Sequence, residues 1–191
     1  MVECARQGLA VAEQVDCPAY GAWSRRALGQ ALAALGRTAE GVAHLQAAAR
    51  TFETLNWQAM LTGTLLRLGL ALHTAGDRDG ATTALERVLT LSRETREVYE
   101  SAYALAVLGE LQVAGGEGEA GSQALAEAAA LAPQIGLPWH RAGTLLHVAA
   151  GRLLLGQVEA ARTVAEKALR LAEDEDLRDV RARGLQMMEQ T

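Results

Sequence analysis

The side chains through which this chain could do chemistry are few, and their spacing argues against catalysis. The four histidines are His44, His73, His140 and His147. A helical metal pair needs two ligands one turn apart, and no two of these have that spacing. His140 and His147 stand two turns apart, and the residues between them, Arg141 and Thr144 among them, are poor ligands. Ser24, Ser92, Ser101 and Ser122 fall in no nucleophile motif. The glycine-rich run GGEGEAG at 115–121 lacks the Lys-Ser/Thr of a phosphate loop, and no strand precedes it. It reads as a loop. The acidic run EDED at 173–176 reads as a solvated turn before the last helix. These patterns predict no enzyme, no metal site and no cofactor.

Cys4 and Cys17 read as residues of one helix, about 20 Å apart at the helical rise. A disulfide needs Cα atoms within about 7 Å, so the two are not expected to pair there. Unpaired thiols fit a reducing cytoplasm. The start of the chain, MVECARQGLAVAEQVDCP, has neither a basic opening nor a long apolar stretch, and so does not read as a secretory signal. There is no long uncharged apolar run, so no membrane span is expected. A formal net charge of −5 works against nonspecific binding to nucleic acid or anionic lipid, which needs a positive face. Lys167 is the only lysine among 18 basic residues, a bias that a GC-rich genome produces.

The elements that would position these residues are announced by a repeat. LGQALAALGRTAEG (28–41), LGLALHTAGDRDGA (68–81), LGELQVAGGEGEAG (108–121) and VAAGRLLLGQVEAA (148–161) recur every 40 residues. Gly36, Gly76, Gly116 and Gly156 each end an apolar periodic run, which marks a helix stop with a left-handed residue. A second helix starts within a few residues, with Thr38, and Asp77 or Asp79, as candidate caps. Gly29, Gly69, Gly109 and Ala149 recur midway along the first helix, and Gly41, Ala81, Gly121 and Ala161 near the start of the second. A mid-helix glycine costs about 1 kcal/mol against alanine. Close approach of the paired helices is the physical reason to keep one. Leu28, Leu68, Leu108 and Val148, with Leu45, Leu85 and Leu125, read as the large residues around that contact. Ala165 stands where the next leucine would, which predicts looser packing in the fourth unit. Half the residues are hydrophobic and only 4% aromatic, so the core is expected to be Leu, Ala and Val in helices.

The registered Leu-Gly pairs, the glycine turns and the small residues that follow them resemble the tetratricopeptide repeat (TPR). The likeness covers almost the whole chain. The period is longer than the family's usual length of about 34 residues, which implies longer helices. The family's aromatic positions are filled by Arg25, Leu65, Leu105 and Leu145, then by Leu32, Leu72, Gln112 and Arg152. The closing proline occurs once, as Pro133. The resemblance implies an all-α, right-handed α-solenoid of antiparallel helical hairpins, a TPR-like superhelix. The expected layout is a single array over 1–191. Residues 1–18 are the second helix of a preceding unit, 19–56, 57–97, 98–137 and 138–177 are four full units, and 178–191 is a terminal helix. Half-units at both ends suggest a piece of a larger protein.

In such arrays the first helices line a concave groove where partners bind. Mapping the phase onto this sequence selects Trp23, Arg26 and Gln30, then Leu66, Leu70 and His73, then Tyr103, Ala106 and Glu110, then Leu146, Ala150 and Leu154. The row is apolar, which favours an amphipathic helix or peptide. Too few polar residues are present for the clamp that holds chaperone C-terminal tails. Trp57 and Trp139 are expected to staple neighbouring units. The resemblance thus implies a non-catalytic protein-interaction module, the sensor or scaffold part of a bacterial signalling or transcription regulator. A small apolar effector held near Leu66, Leu70, Tyr103 and Leu146 is one alternative. Self-association through the terminal helices, with Met187 and Met188 as adhesive residues and a homodimer as product, is another.

Overall fold

The computed structural model describes residues 2–174 and 177–189. They form ten α-helices and one 3₁₀ turn, with no strand among the described residues. The helices are α1 Val2–Gln14, α2 Pro18–Ala34, α3 Thr38–Thr54, α4 Gln58–Ala75, α5 Arg78–Thr95, α6 Val98–Ala114, α7 Gly118–Leu131, α8 Pro138–Leu154, α9 Val158–Asp174 and α10 Arg178–Met188. The 3₁₀ turn, Ala132–Gln134, joins α7 to α8. The chain divides into two compact units, residues 1–95 and 96–191. Within each unit consecutive helices pack against one another, which makes the fold an all-α solenoid of helical hairpins.

Each hairpin turns on its expected glycine. Gly36, Gly76, Gly116 and Gly156 have φ of 79°, 80°, 88° and 71°, and all four are exposed. The residue after each glycine donates its N–H to a carbonyl five positions back: Arg37 to Leu32, Asp77 to Leu72, Glu117 to Gln112 and Gln157 to Arg152, at 2.9–3.0 Å. This wide hydrogen bond consumes a helix-end carbonyl that would otherwise be unpaired. Asp77 then caps α5, its Oδ1 accepting the Gly80 N–H at 3.0 Å. Thr38 caps nothing. It is the first residue inside α3, and Arg37 at the cap position instead lays its guanidinium on the Glu40 carboxylate, with both bonds at 2.7 Å.

The connections before α2, α4 and α6 each use a left-handed residue other than glycine. Asp16, Asn56 and Arg96, spaced by the repeat, have φ of 47°, 52° and 58°. Cys17 and Trp57 donate five positions back to Ala12 and Phe52, each at 2.9 Å. Cys17 therefore sits at the start of α2, not on the helix that carries Cys4, and both thiols are free. Asp and Asn tolerate the left-handed region, whereas an arginine there carries a steric cost of about 1 kcal/mol. Arg96→Gly is therefore expected to raise the stability by a few tenths to about 1 kcal/mol, after the extra entropy of the unfolded glycine is set against the relieved strain. A urea midpoint that falls instead would show that Arg96 holds the turn through its side chain.

The small-residue pairs do what their register predicts. A Cβ placed on Gly29 would lie 2.7 Å from the Gly41 carbonyl oxygen, and one on Gly41 would lie 2.7 Å from the Gly29 oxygen. Gly109 and Gly121 repeat this contact at 3.0 and 2.8 Å. The backbones of α2 and α3, and of α6 and α7, touch with no side chain between them. Leu45, Leu85 and Leu125 are fully buried beside these contacts. Ala165 is as fully buried as the leucines it replaces. Trp57 meets Phe52 edge-on, 5.9 Å between ring centroids, and so ties the start of α4 to the end of α3. Glu173 and Asp174 of the acidic run finish α9, and residues 175–176 lie outside the described residues.

Acidification is expected to weaken residues 1–95 slightly through His44. Burial, then the charges of Arg25 and Arg6, lower its pKa from the ordinary value, against an opposing pull from Glu40. The unfolded chain then binds the proton more readily than the folded one. Stability contributed by neutral His44 is complete above the unfolded pKa and falls as pH drops from there to the folded pKa. An NMR titration placing His44 above the ordinary value would contradict this. His44→Gln should remove its share of the slope.

Candidate functional site

The expected groove row separates into buried and accessible residues once its neighbours are in place. Leu66, Tyr103 and Leu146 are core side chains, 1%, 8% and 0% exposed, and Ala106 is fully buried with them. Their helices are covered almost all round: every residue of 102–109 and of 142–149 is buried. These residues present no apolar surface to a partner, and the expectation of a continuous apolar groove is corrected on that ground. Leu70, His73, Glu110 and Ala150 are half-buried, and Leu154 is exposed. Trp23 and Gln30 are exposed, and Arg26 is half-buried.

In the unit of residues 1–95, the faces of α2 and α4 bring Trp23, Arg26 and Arg67 together. The Arg26 guanidinium carbon lies 4.8 Å from the centre of the Trp23 ring, a cation–π contact. Its Nη1 also runs along α4, 3.4 Å from where a Cβ on Gly63 would be. A methyl there would only touch the arginine. Burial, and then the charge of Arg67, lower the pKa of Arg26. Arginine stays charged regardless, so the shift expresses the cost of holding two guanidinium groups near each other and partly out of water. Among the described residues neither Arg26 nor Arg67 makes an ion pair with a carboxylate. The result is a fixed cationic site beside an exposed indole. It suits a carboxylate or phosphate followed by an apolar group.

In the unit of residues 96–191, the matching faces of α6 and α8 form an aromatic and imidazole seam. Tyr99 stacks on His140 with ring centroids 3.6 Å apart, and meets Tyr103 edge-on at 5.6 Å. The His147 ring lies 5.2 Å from that of Tyr103, and its Nδ1–H donates to Glu110 Oε2 at 2.8 Å. A Cβ on Gly143 would lie 3.2 Å from the Tyr103 ring, so only a very small residue lets the seam close. A histidine with a carboxylate partner is the core of a general base. Here both groups are largely buried, and the pair satisfies polar atoms inside a helix contact. Among the described residues no group of three or more His, Cys, Asp or Glu is placed to hold a metal ion.

Arg67 and Tyr99 escaped the sequence mapping, and His140 and His147 were weighed there only as metal ligands, although the repeat carried a signal. Subtracting one period from Arg67 lands beside Arg26, and subtracting one from His147 lands a helical turn from Glu110. No protein-family model matches the chain, and no curated protein matches it. Solved structures do. The chain is similar to crystal structures of nearly identical TPR-like repeats from a Podosopora anserina protein described as a kinesin light chain. A single-substitution form of that protein has a TM-score of 0.67 at 18% identity, over 92% of this chain and 86% of that one. Another structure has a TM-score of 0.65 at 19% identity, over 91% and 86%.

The chain has a TPR-like repeat fold. Identity this low establishes the architecture alone. The TPR-like hairpins here are longer than the usual unit, and the positions that are usually aromatic hold leucine, arginine and one glutamine, as the sequence shows. No described helix is long and apolar enough to cross a membrane.

Proposed function

We propose that this chain is a non-catalytic protein-interaction module and that the α2–α4 face of residues 1–95 receives an acidic segment of a partner protein. The observation that carries the reading is Arg26, stacked on exposed Trp23 and half-buried beside Arg67, with no carboxylate to neutralise either among the described residues. A partner's Asp or Glu would relieve the repulsion, and its neighbouring apolar side chain would cover the indole. Gln30, exposed on α2, and half-buried Leu70 and His73 on α4 would flank the bound segment. The TPR-like fold supports an interaction role by analogy. The Ala/Leu/Arg-rich 40-residue units support placing the module in a bacterial regulator as its sensor or scaffold part.

The test is a pull-down from a lysate of the source cell at low and high salt, with the parent chain and an Arg26→Glu/Arg67→Glu variant as baits. Both must show the same helical circular dichroism. Proteins retained by the parent at low salt should be lost at high salt and lost from the variant. Unchanged retention by a folded variant would sink the reading. Self-association through α10, where half-buried Met187 and Met188 stand beside exposed Leu185, is the second reading. Sedimentation of the parent against Leu185→Glu checks it, a shared monomer mass counting against a dimer.

A further inference from the structure

A second feature, within residues 96–191, concentrates positive charge on an acidic chain. A cavity of about 510 Å³ opens between α7, α8 and α9. That is within the range of about 300–1,000 Å³ typical of small-molecule sites. Its walls are apolar where they are deepest: Ala132, Leu145 and Val164 are buried, and Leu171 is half-buried. Its polar lining is mostly cationic. Arg141, Arg152, Lys167 and Arg170 border it, against Asp174 as the one carboxylate among the lining residues. Lys167 is the only lysine in the chain.

These cations differ in their commitments. Arg141 is held by the Ile135 carbonyl oxygen, to which Nε and Nη2 donate at 3.1 and 2.7 Å. Arg170 reaches Glu166 only at 4.0 Å. Among the described residues Arg152 and Lys167 make no ion pair. The cavity is also elongated. Arg141 and Arg152 lie on α8, about 16 Å apart at the helical rise, and both border it. A long, apolar-walled trough with positive charge along its rim fits a linear alkyl chain that ends in an anion. A compact polar anion would leave the walls wet, and a neutral alkane would leave the cations unanswered.

We propose that this cavity binds a long-chain carboxylate, with the alkyl chain against Leu145, Val164 and Leu171 and the carboxylate between Lys167 and Arg152. The site shares no residue with the Trp23–Arg26 face, and neither reading depends on the other. The ligand's charge answers the rim and its chain removes apolar wall from water, so affinity needs both parts.

The experiment is isothermal titration calorimetry of the full chain with dodecanoate below its micelle concentration. Dodecyltrimethylammonium supplies the same tail with the opposite charge, and inorganic phosphate supplies an anion without a tail. Saturable binding of one dodecanoate per chain is expected, with no saturable binding of either control. Arg152→Glu/Lys167→Glu, checked for parent helicity, should weaken dodecanoate by about tenfold or more, the scale of one charge-assisted hydrogen bond. If that variant does not fold, Lys167→Gln, at an exposed position, should still weaken binding several-fold, and Ala129→Trp should block it by filling the trough. Failure of dodecanoate to saturate, equal binding of the alkylammonium, or unchanged affinity in the folded charge variant would each overturn the assignment.

Discussion

Leu146→Glu is expected to unfold residues 96–191, where Leu154→Glu on the same helix leaves them folded. Leu146 is fully buried, and a Cβ on Gly184 would stand 3.7 Å from its Cδ2, so α10 lies over it. Removing a buried leucine costs about 2–5 kcal/mol. Placing an unpaired carboxylate there adds several more. The total, above about 5 kcal/mol, is comparable with the whole stability of a typical domain. Leu154 is 56% exposed at the end of α8, where a charge stays hydrated and the cost is within about 0.5 kcal/mol. Urea denaturation followed by circular dichroism separates the two. A cooperative, parent-like transition in Leu146→Glu would mean the side chain faces a groove after all, and would restore the apolar-groove reading rejected above.

The second large effect is a reversal of sign for one chemical change. Gly29→Ala should destabilise residues 1–95 by up to about 2 kcal/mol once the helix gain is set against the overpacking cost, while Gly63→Ala should stabilise them by up to about 1 kcal/mol. Both glycines are inside helices, where alanine is intrinsically favoured by about 1 kcal/mol. At Gly29 the new methyl would lie 2.7 Å from the Gly41 carbonyl oxygen and 2.8 Å from Leu45 Cγ. The oxygen belongs to the α3 backbone and cannot rotate away, so the helices must separate, at an overpacking cost of about 1–3 kcal/mol that propagates along the contact. At Gly63 the nearest atom is the flexible end of Arg26 at 3.4 Å, which can move. Thermal melts of the two variants decide the matter. A stabilised Gly29→Ala would show that the helix contact is softer than its geometry.

The hairpin plan was legible because it rests on local and periodic physics. A glycine ends a helix for reasons contained in its own φ, and four glycines in register repeat that statement four times. Small residues in phase on both helices predict a backbone contact without knowledge of anything further away, and Gly29–Gly41 and Gly109–Gly121 are that contact. The turns at Asp16, Asn56 and Arg96 were less legible, since only the backbone reveals that these side chains accept a left-handed conformation.

The tertiary structure alone decided which face of each first helix meets solvent. The phase of the repeat places Leu66, Leu146 and Leu154 in one row, yet it cannot count the neighbours that cover each position. Leu146 is closed over by α10 from nearly 40 residues away, while Leu154 projects past the end of its helix contact. Charge followed the same rule. Arg26 and Arg67 are remote in sequence and ordinary in composition. Only the packing of α4 on α2 sets one guanidinium near the other. Local propensity is written into each segment, but burial and electrostatics are sums over neighbours, and those neighbours exist only once the chain has folded.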